Sequence, residues 1–227
     1  MSDIKSLKVL VLCECSGEVS RAFRELGHDA YSVDIQNCDN PEDKEWHIVG
    51  DVVQVLNSFG KYSPSISWDL IILHPPCTAL AVSGNAHYGE GQARYKDRLE
   101  AVQWTKTLWN KAKSLANHVA LENPVSVLHR LARLPKASYV HPYEHGHLEQ
   151  KKTGFHLHKL PAIVSTNYVH DDMMLLDKKD RQRMHYMSPS KDRAKLRSKT
   201  FTGIAKAMAV QWSTHIIKTN GSSGETK

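Results

Sequence analysis

Several short stretches carry residue types that can do chemistry, and each follows an apolar run of strand length. LIILHPPCTAL sets Pro75, Pro76 and Cys77 just after Leu70 to Leu73. Two prolines fix the backbone there, so the thiol is presented in a set direction. HVALENP ends a second run on Glu122, Asn123 and Pro124, about 45 residues further on. Residue types at such strand ends are the ones to inspect for chemistry, because open parallel sheets collect ligands there. LKVLVLCECSGE turns through Glu14, Cys15, Ser16 and Gly17 into a helical pattern whose N-terminus can face an anion. DAYSVD ends on Asp34, roughly 20 residues after the start of that turn, where an acid can accept ribose hydroxyls of a nucleoside cofactor. HIVGD adds Gly50 and Asp51. Singly, each also reads as ordinary structure: a turn glycine, a helix-capping Asp, a strand-stopping proline, a core cysteine. Their joint order, each at a strand end, points to a site.

The elements that must position them follow from periodicity. After the first strand, Val19, Ala22, Phe23 and Leu26 recur at helical spacing, with Ser16 as cap and Gly27 as stop. Strands at DAYSVDI, HIVGD and WDLIILHPP follow, with a short helix from Val52 to about Phe59. A longer helix is expected over Asp97 to Ala116, where Val102, Thr105, Leu108, Trp109, Ala112 and Leu115 share a face. Trp104 and Trp109 read as core residues of that helix. Continuous apolar strands alternating with helices predict an α/β fold, a mostly parallel doubly wound sheet covered on both faces. SYVHPYEHG, FHLHKLPAIV and YVHDDMMLL read as short strands. Lys178 to Lys199 holds nine Lys or Arg against Asp180 and Asp192 and reads as a mobile basic loop. A helix over Thr202 to Ile217 closes the chain, with residues 220–227 as a disordered tail.

Length and composition set bounds. The 227 residues suffice for one domain, 1–219, in which about 140–199 form a reduced, basic substrate-binding region. The formal net charge of +6 favours an anionic partner. Four cysteines without paired CxxC spacing make neither a disulfide scaffold nor a zinc site, so reduced thiols are expected. The start MSDIKSLK holds no signal-peptide core, so a cytoplasmic location is expected, and the chain is expected to be a monomer. No apolar run approaches the roughly 20 residues of a membrane span, so no membrane partner is expected. His141, His145, His147, His156 and His158 crowd the middle, and H-x-H pairs place imidazoles on one strand face. With no cysteine nearby, phosphate or base contacts fit His147 and His158 better than a metal does.

In order, ECSGEVSRAF, Asp34, Gly50-Asp51, PPC and ENP resemble the DNA (cytosine-5) methyltransferase family over roughly residues 7 to 125. PYEHGHLEQKKTGFHLHKLP and RSKTFTGIAKAMAVQW are similar to its short phage-type members. The resemblance implies a Rossmann-like fold that binds S-adenosyl-L-methionine (AdoMet) and methylates cytosine C5 in DNA. Cys77 would add to C6, Glu122 would bond the ring N3 and amine, and Asn123 and Pro124 would hold its geometry. Cys15, Ser16, Gly17, Asp34, Ile35, Asp51 and Pro75 would line the cofactor, with Asp34 on the ribose, Ile35 on the adenine face and Asp51 on the adenine amine. Thr78, where the family has glutamine, and Ser83 would meet nucleic acid. The family's Q-x-R strand is absent. Gln150, Lys151, Lys152 and Thr153, or alternatively Arg193 and Arg197, would stand in for it. Lys151, Lys152, Arg193, Lys195 and Arg197 would contact nucleic acid, and a full target-recognition domain is missing. Low or very short sequence specificity follows. Single-stranded DNA, RNA, a free pyrimidine nucleotide and a non-catalytic nucleic-acid binder stay open as alternatives, and phage-like relatives imply a bacterial host.

Overall fold

The computed structural model describes residues 6–62 and 67–222. Seven strands form one sheet: β1 (Lys8–Leu12), β2 (Asp29–Asp34), β3 (His47–Val49), β4 (Trp68–Leu73), β5 (Ala116–Pro124), β6 (Ser138–Val140) and β7 (Thr153–His158). Their order is β3-β2-β1-β4-β5-β7-β6, and only β7 runs antiparallel to its neighbours. The chain winds outward from β1 to β3, then restarts beside β1 at β4. That reversal leaves a crevice past the carboxyl ends of β1 and β4, where open α/β sheets take their ligands. The expected mostly parallel, doubly wound Rossmann-like sheet is present.

Ten helices complete the described chain: α1 (Glu18–Arg24), α2 (Val52–Tyr62), α3 (Asn85–Tyr88), α4 (Tyr95–Leu115), α5 (Leu128–Leu131), α6 (His170–Met174), α7 (Lys178–Arg181), α8 (Arg183–Tyr186), α9 (Arg193–Ser198) and α10 (Thr202–Ser222). Alternation along the strands decides what they cover. Val9, Val11, Leu70, Ile72, Ala120 and Phe155 face Phe23 of α1 and Ile204, Met208 and Trp212 of α10. Leu10, Leu12, Ile71, Leu73, Val119 and Leu121 face Leu56 of α2 and Val102, Leu108 and Trp109 of α4. Burying both faces explains why these strands read as unbroken apolar runs.

Four expectations are corrected. YVHDDMMLL is not a strand: α6 turns one residue, Met173, inward and leaves Met174 and Leu175 exposed, while Asp171 and Asp172 favour its first turn. Lys178 to Lys199 is not an irregular loop but the three short helices α7 to α9. Buried Glu149 anchors the first part, accepting from Met184 N at 3.1 Å and pairing with Arg183 at 3.4 Å. Leu26 lies past the end of α1 and is exposed, and α10 continues to Ser222. The rest of the expected tail, 223–227, lies outside the described residues.

Ser16 is also not the main cap of α1. Gly17 stands at the N-cap with φ +68°, and the buried Glu14 carboxylate reaches across the turn to accept Val19 N at 2.6 Å and Ser20 N at 3.2 Å. Ser16 Oγ accepts only a long 3.5 Å bond from Glu18 N. Glu14→Ala leaves two buried donors without an acceptor and is expected to cost about 1–2 kcal/mol. In thermal denaturation that is a midpoint drop of about 2–8 °C, with Glu14→Gln milder.

Candidate active site

Register builds the centre of the site. Leu73 pairs with Leu121 across the β4–β5 ladder, so the next residues, His74 and Glu122, stand side by side on the α10 face. His74 N donates to Leu12 O at 2.9 Å, carrying the ladder one step past β4 before Pro75 ends it. Asn123 is fully buried and donates from Nδ2 to Pro75 O at 3.3 Å, which ties the PPC turn to the end of β5. Beyond it, Leu80 N and Ala81 N both donate to Cys77 O, at 3.0 and 2.8 Å. The thiol therefore sits at the head of a closed turn beside Glu122.

That turn has a fastener that the sequence reading missed. Arg98, 2% exposed, donates to Ala79 O at 2.7 Å, Ala81 O at 3.1 Å and Asn85 Oδ1 at 2.7 Å. Its guanidinium thus holds the loop that follows Cys77 against α4. The signal was present: Arg98 lies four residues before Val102 and seven before Thr105, a cation on an apolar helix face.

The electrostatics bring further residues together. Burial pushes the Cys77 thiol above its ordinary range and the Glu122 carboxylate adds to this, whereas Lys151 and Arg197 act against both. Lys151 Nζ donates to Arg197 O at 2.8 Å and lies 5.7 Å from the Phe201 ring centre. Glu122, Lys151, Thr153, Ser198, Thr200, Phe201 and Ile204 line a recess of about 10 Å³. That is room for roughly one water and too little for a ring.

At the other end of the crevice stand the residues expected to hold a nucleoside cofactor. Asp34 is buried at the end of β2, with Oδ1 accepting Gln36 N at 2.9 Å. Ile35 beside it is 72% exposed. A carboxylate with its second oxygen uncommitted and an open apolar side chain fit a ribose and a base edge. Asp51 is engaged as the cap of α2, its Oδ1 accepting Val53 N and Gln54 N, both at 3.0 Å. At the α1 end, a Cβ on Gly17 would meet Asp43 Oδ2 at 2.6 Å, so no side chain fits there. Glu14 already occupies the first N–H groups of α1, so that helix end is less open to an anion than the sequence implied. Burial pushes the Cys13 thiol up to about 12 and the Cys15 thiol up to about 11, with nearby Asp residues adding to both. Both are protonated at neutral pH.

The basic segment lies across this crevice. Lys195 Nζ is 2.6 Å from Asp39 Oδ1 and Lys199 Nζ is 2.7 Å from Glu18 Oε1, while Arg197 O receives Lys151. α9 and its C-terminal extension thus link the α1–Asp39 end of the crevice to the Cys77 end. In both pairs the lysine is about half exposed while its carboxylate partner lies deeper, Glu18 at 9% and Asp39 at 24% exposure. Thr78 and Ser83 are exposed on the turn after Cys77. Lys152 points elsewhere, over the Tyr139 ring at 4.5 Å. Arg193 keeps a buried Nε without a partner among the described residues.

The histidines divide among separate tasks. His147 Nε2 accepts Gly203 N at 2.9 Å and so caps α10. His145 bonds Thr166 Oγ1 at 2.9 Å, and His156 Nδ1 meets Pro135 O at 2.6 Å. His158 pairs with Val119, on the sheet face opposite Glu122, and lines a separate recess of about 380 Å³ with Lys106, Lys113 and Arg133.

No protein-family model matches the chain, and no curated protein is significantly similar to it in sequence. Solved structures are similar in fold. A protein described as a prophage-encoded DNA modification methyltransferase from E. coli superposes with a TM-score of 0.45 and 16% identity, over 67% of this chain and 46% of that one. The S. pombe Dnmt2 methyltransferase gives a TM-score of 0.44 and 14% identity, over 83% of this chain and 61% of the other. The chain thus spans about half to three-fifths of the length of these structures.

Proposed function

We propose that the chain is an AdoMet-dependent methyltransferase acting on cytosine C5 in DNA, with low or very short sequence specificity. One observation carries the reading: the adjacent ends of β4 and β5 put Cys77 and Glu122 within electrostatic reach of each other, with Lys151 and Arg197 acting on the thiol in the opposite sense. Cytosine C5 is a weak nucleophile. Addition of the Cys77 thiolate to C6 breaks the C5–C6 double bond and pushes electrons toward N3. Glu122 donates a proton to N3 and accepts from the exocyclic amine, offsetting the charge that sulfur addition drives into the ring. Asn123, anchored on Pro75 O, keeps Glu122 and the PPC turn in one frame.

Asp34 would hold AdoMet at the ribose, Ile35 at the base and the Cys15–Gly17 turn at its amino-acid end, and the cofactor would supply the electrophilic methyl group for C5. Loss of the C5 proton then lets the C6–S bond break, which returns the electron pair to Cys77 and restores the aromatic ring. The target base reaches the thiol only when flipped out of a duplex or already single-stranded. Lys151, Arg197 and the exposed cations of α9 supply phosphate contacts, which give affinity without reading sequence. No target-recognition domain is evident in residues 140–199, which supports loose specificity.

The test is nucleoside mass spectrometry after incubation of the full chain with AdoMet and DNA, RNA or deoxycytidine monophosphate. 5-Methylcytosine in DNA is expected. Product confined to RNA or to the mononucleotide would reassign the acceptor. No AdoMet binding by calorimetry would remove the methyltransferase reading and leave a nucleic-acid-binding protein.

A further inference from the structure

His74 bonds Glu122, and no role has yet been given to it. Among the described residues it is the only side chain hydrogen-bonded to that carboxyl, with Nδ1 3.3 Å from Oε2. The two side chains are 10% and 15% exposed. The contact follows from the fold, because the β4–β5 register continues one step past Leu73 and Leu121 and sets the two residues abreast on the same face. His74 Nε2, in turn, is buried and without a partner among the described residues.

These facts favour one tautomer. A carboxyl oxygen facing Nδ1 calls for a proton on Nδ1, and which ring nitrogen is protonated is set by the bond the other one makes or lacks. A proton on Nε2 would be a buried donor with no acceptor, whereas a lone pair there costs less. With Nδ1–H donating, Oε2 is always an acceptor. When Glu122 is in its acid form, its proton then sits on Oε1.

We propose that His74 is a positioning residue: it holds Glu122 by donating Nδ1–H to Oε2, which fixes the carboxyl rotamer and keeps the acid proton on Oε1, the oxygen left for the base. The proposal rests on the reading of Glu122 as the group that protonates N3. It makes the histidine before the PPC turn part of how the acid is aimed, with no contact of its own to the reacting atoms.

Two measurements test it on the full chain. Nitrogen-15 NMR, with the His74 signals identified by their loss in His74→Phe, is expected to show the Nδ1–H tautomer in the native protein. That signature should change in Glu122→Met, which removes the acceptor. An Nε2–H ring, or signals unaffected by Glu122→Met, would overturn the proposal. In methyl-transfer assays His74→Phe is expected to lower kcat about 10²-fold, while the Kd values for AdoMet and DNA stay within about twofold. His74→Asn, whose amide can stand where Nδ1–H stands, should recover to within about tenfold of native. Native-like activity of His74→Phe, or Asn no better than Phe, would overturn it as well. If the native chain methylates no acceptor, the functional reading falls, and the NMR result still decides whether His74 holds Glu122.

Discussion

Cys77→Ala is expected to abolish methyl transfer, by at least about 10³-fold in kcat, while AdoMet affinity stays within about twofold. On the proposed mechanism the thiol supplies the bond that activates C5, and the other two thiols near the sheet end cannot replace it. Cys13 and Cys15 are held protonated, with thiols pushed up to about 12 and about 11. Stability should change little, because Cys77 is only partly buried and the turn is held by Arg98 and Asn123. The pH dependence has a definite sign. Burial and Glu122 raise the thiol, so the reactive thiolate fraction is small at neutral pH and grows as pH rises toward the raised value. Alkylation of Cys77 by iodoacetamide should therefore climb steadily between pH 7 and 9. A flat profile over that range would mean a thiol already ionised at neutral pH, contrary to the observed surroundings.

Glu122→Gln is expected to split two properties that usually move together. Methyl transfer should fall about 10²- to 10³-fold, because glutamine can hydrogen-bond N3 but cannot give it a proton. The Cys77 thiol should become easier to ionise, since a negative neighbour that raises it has been removed while Lys151 and Arg197 remain. Iodoacetamide should then label Cys77 faster at pH 8 in Glu122→Gln than in the native chain. A variant slower in both assays would show that Glu122 supports the turn instead of the reaction. The pair of assays thus separates an acid from a scaffold residue.

How much of this was legible in the sequence depends on the range of the interactions. The β1, β4 and β5 runs were readable because both sheet faces are buried, so each strand is a continuous apolar word with its candidate residue next in line. The helix at 202–217 was readable because Ile204, Met208, Trp212 and Ile216 repeat on one face. The cap of α1 was misassigned for a local reason: Ser16 is nearer in sequence, but the left-handed turn at Gly17 lets Glu14 reach Val19 N and Ser20 N first. Met173 gives α6 a single buried residue, too little periodicity to separate helix from strand. The basic segment looked like a solvated loop because what orders it is distant in the chain: Lys195 with Asp39, Lys199 with Glu18, and Lys151 with Arg197. His74 was invisible as a partner of Glu122 for the same reason, since only the strand register sets them abreast.

The most direct measurement of the central claim is covalent trapping. An oligonucleotide in which the target cytosine carries fluorine at C5 cannot lose that atom as a proton is lost, so the reaction stops with the C6–S bond intact. Intact-mass and peptide mass spectrometry of the full chain, incubated with this DNA and AdoMet, should show one oligonucleotide joined to the peptide containing Cys77, and none with Cys77→Ser. An adduct on another residue, or a native chain that binds AdoMet and the DNA yet forms no adduct, would contradict the account.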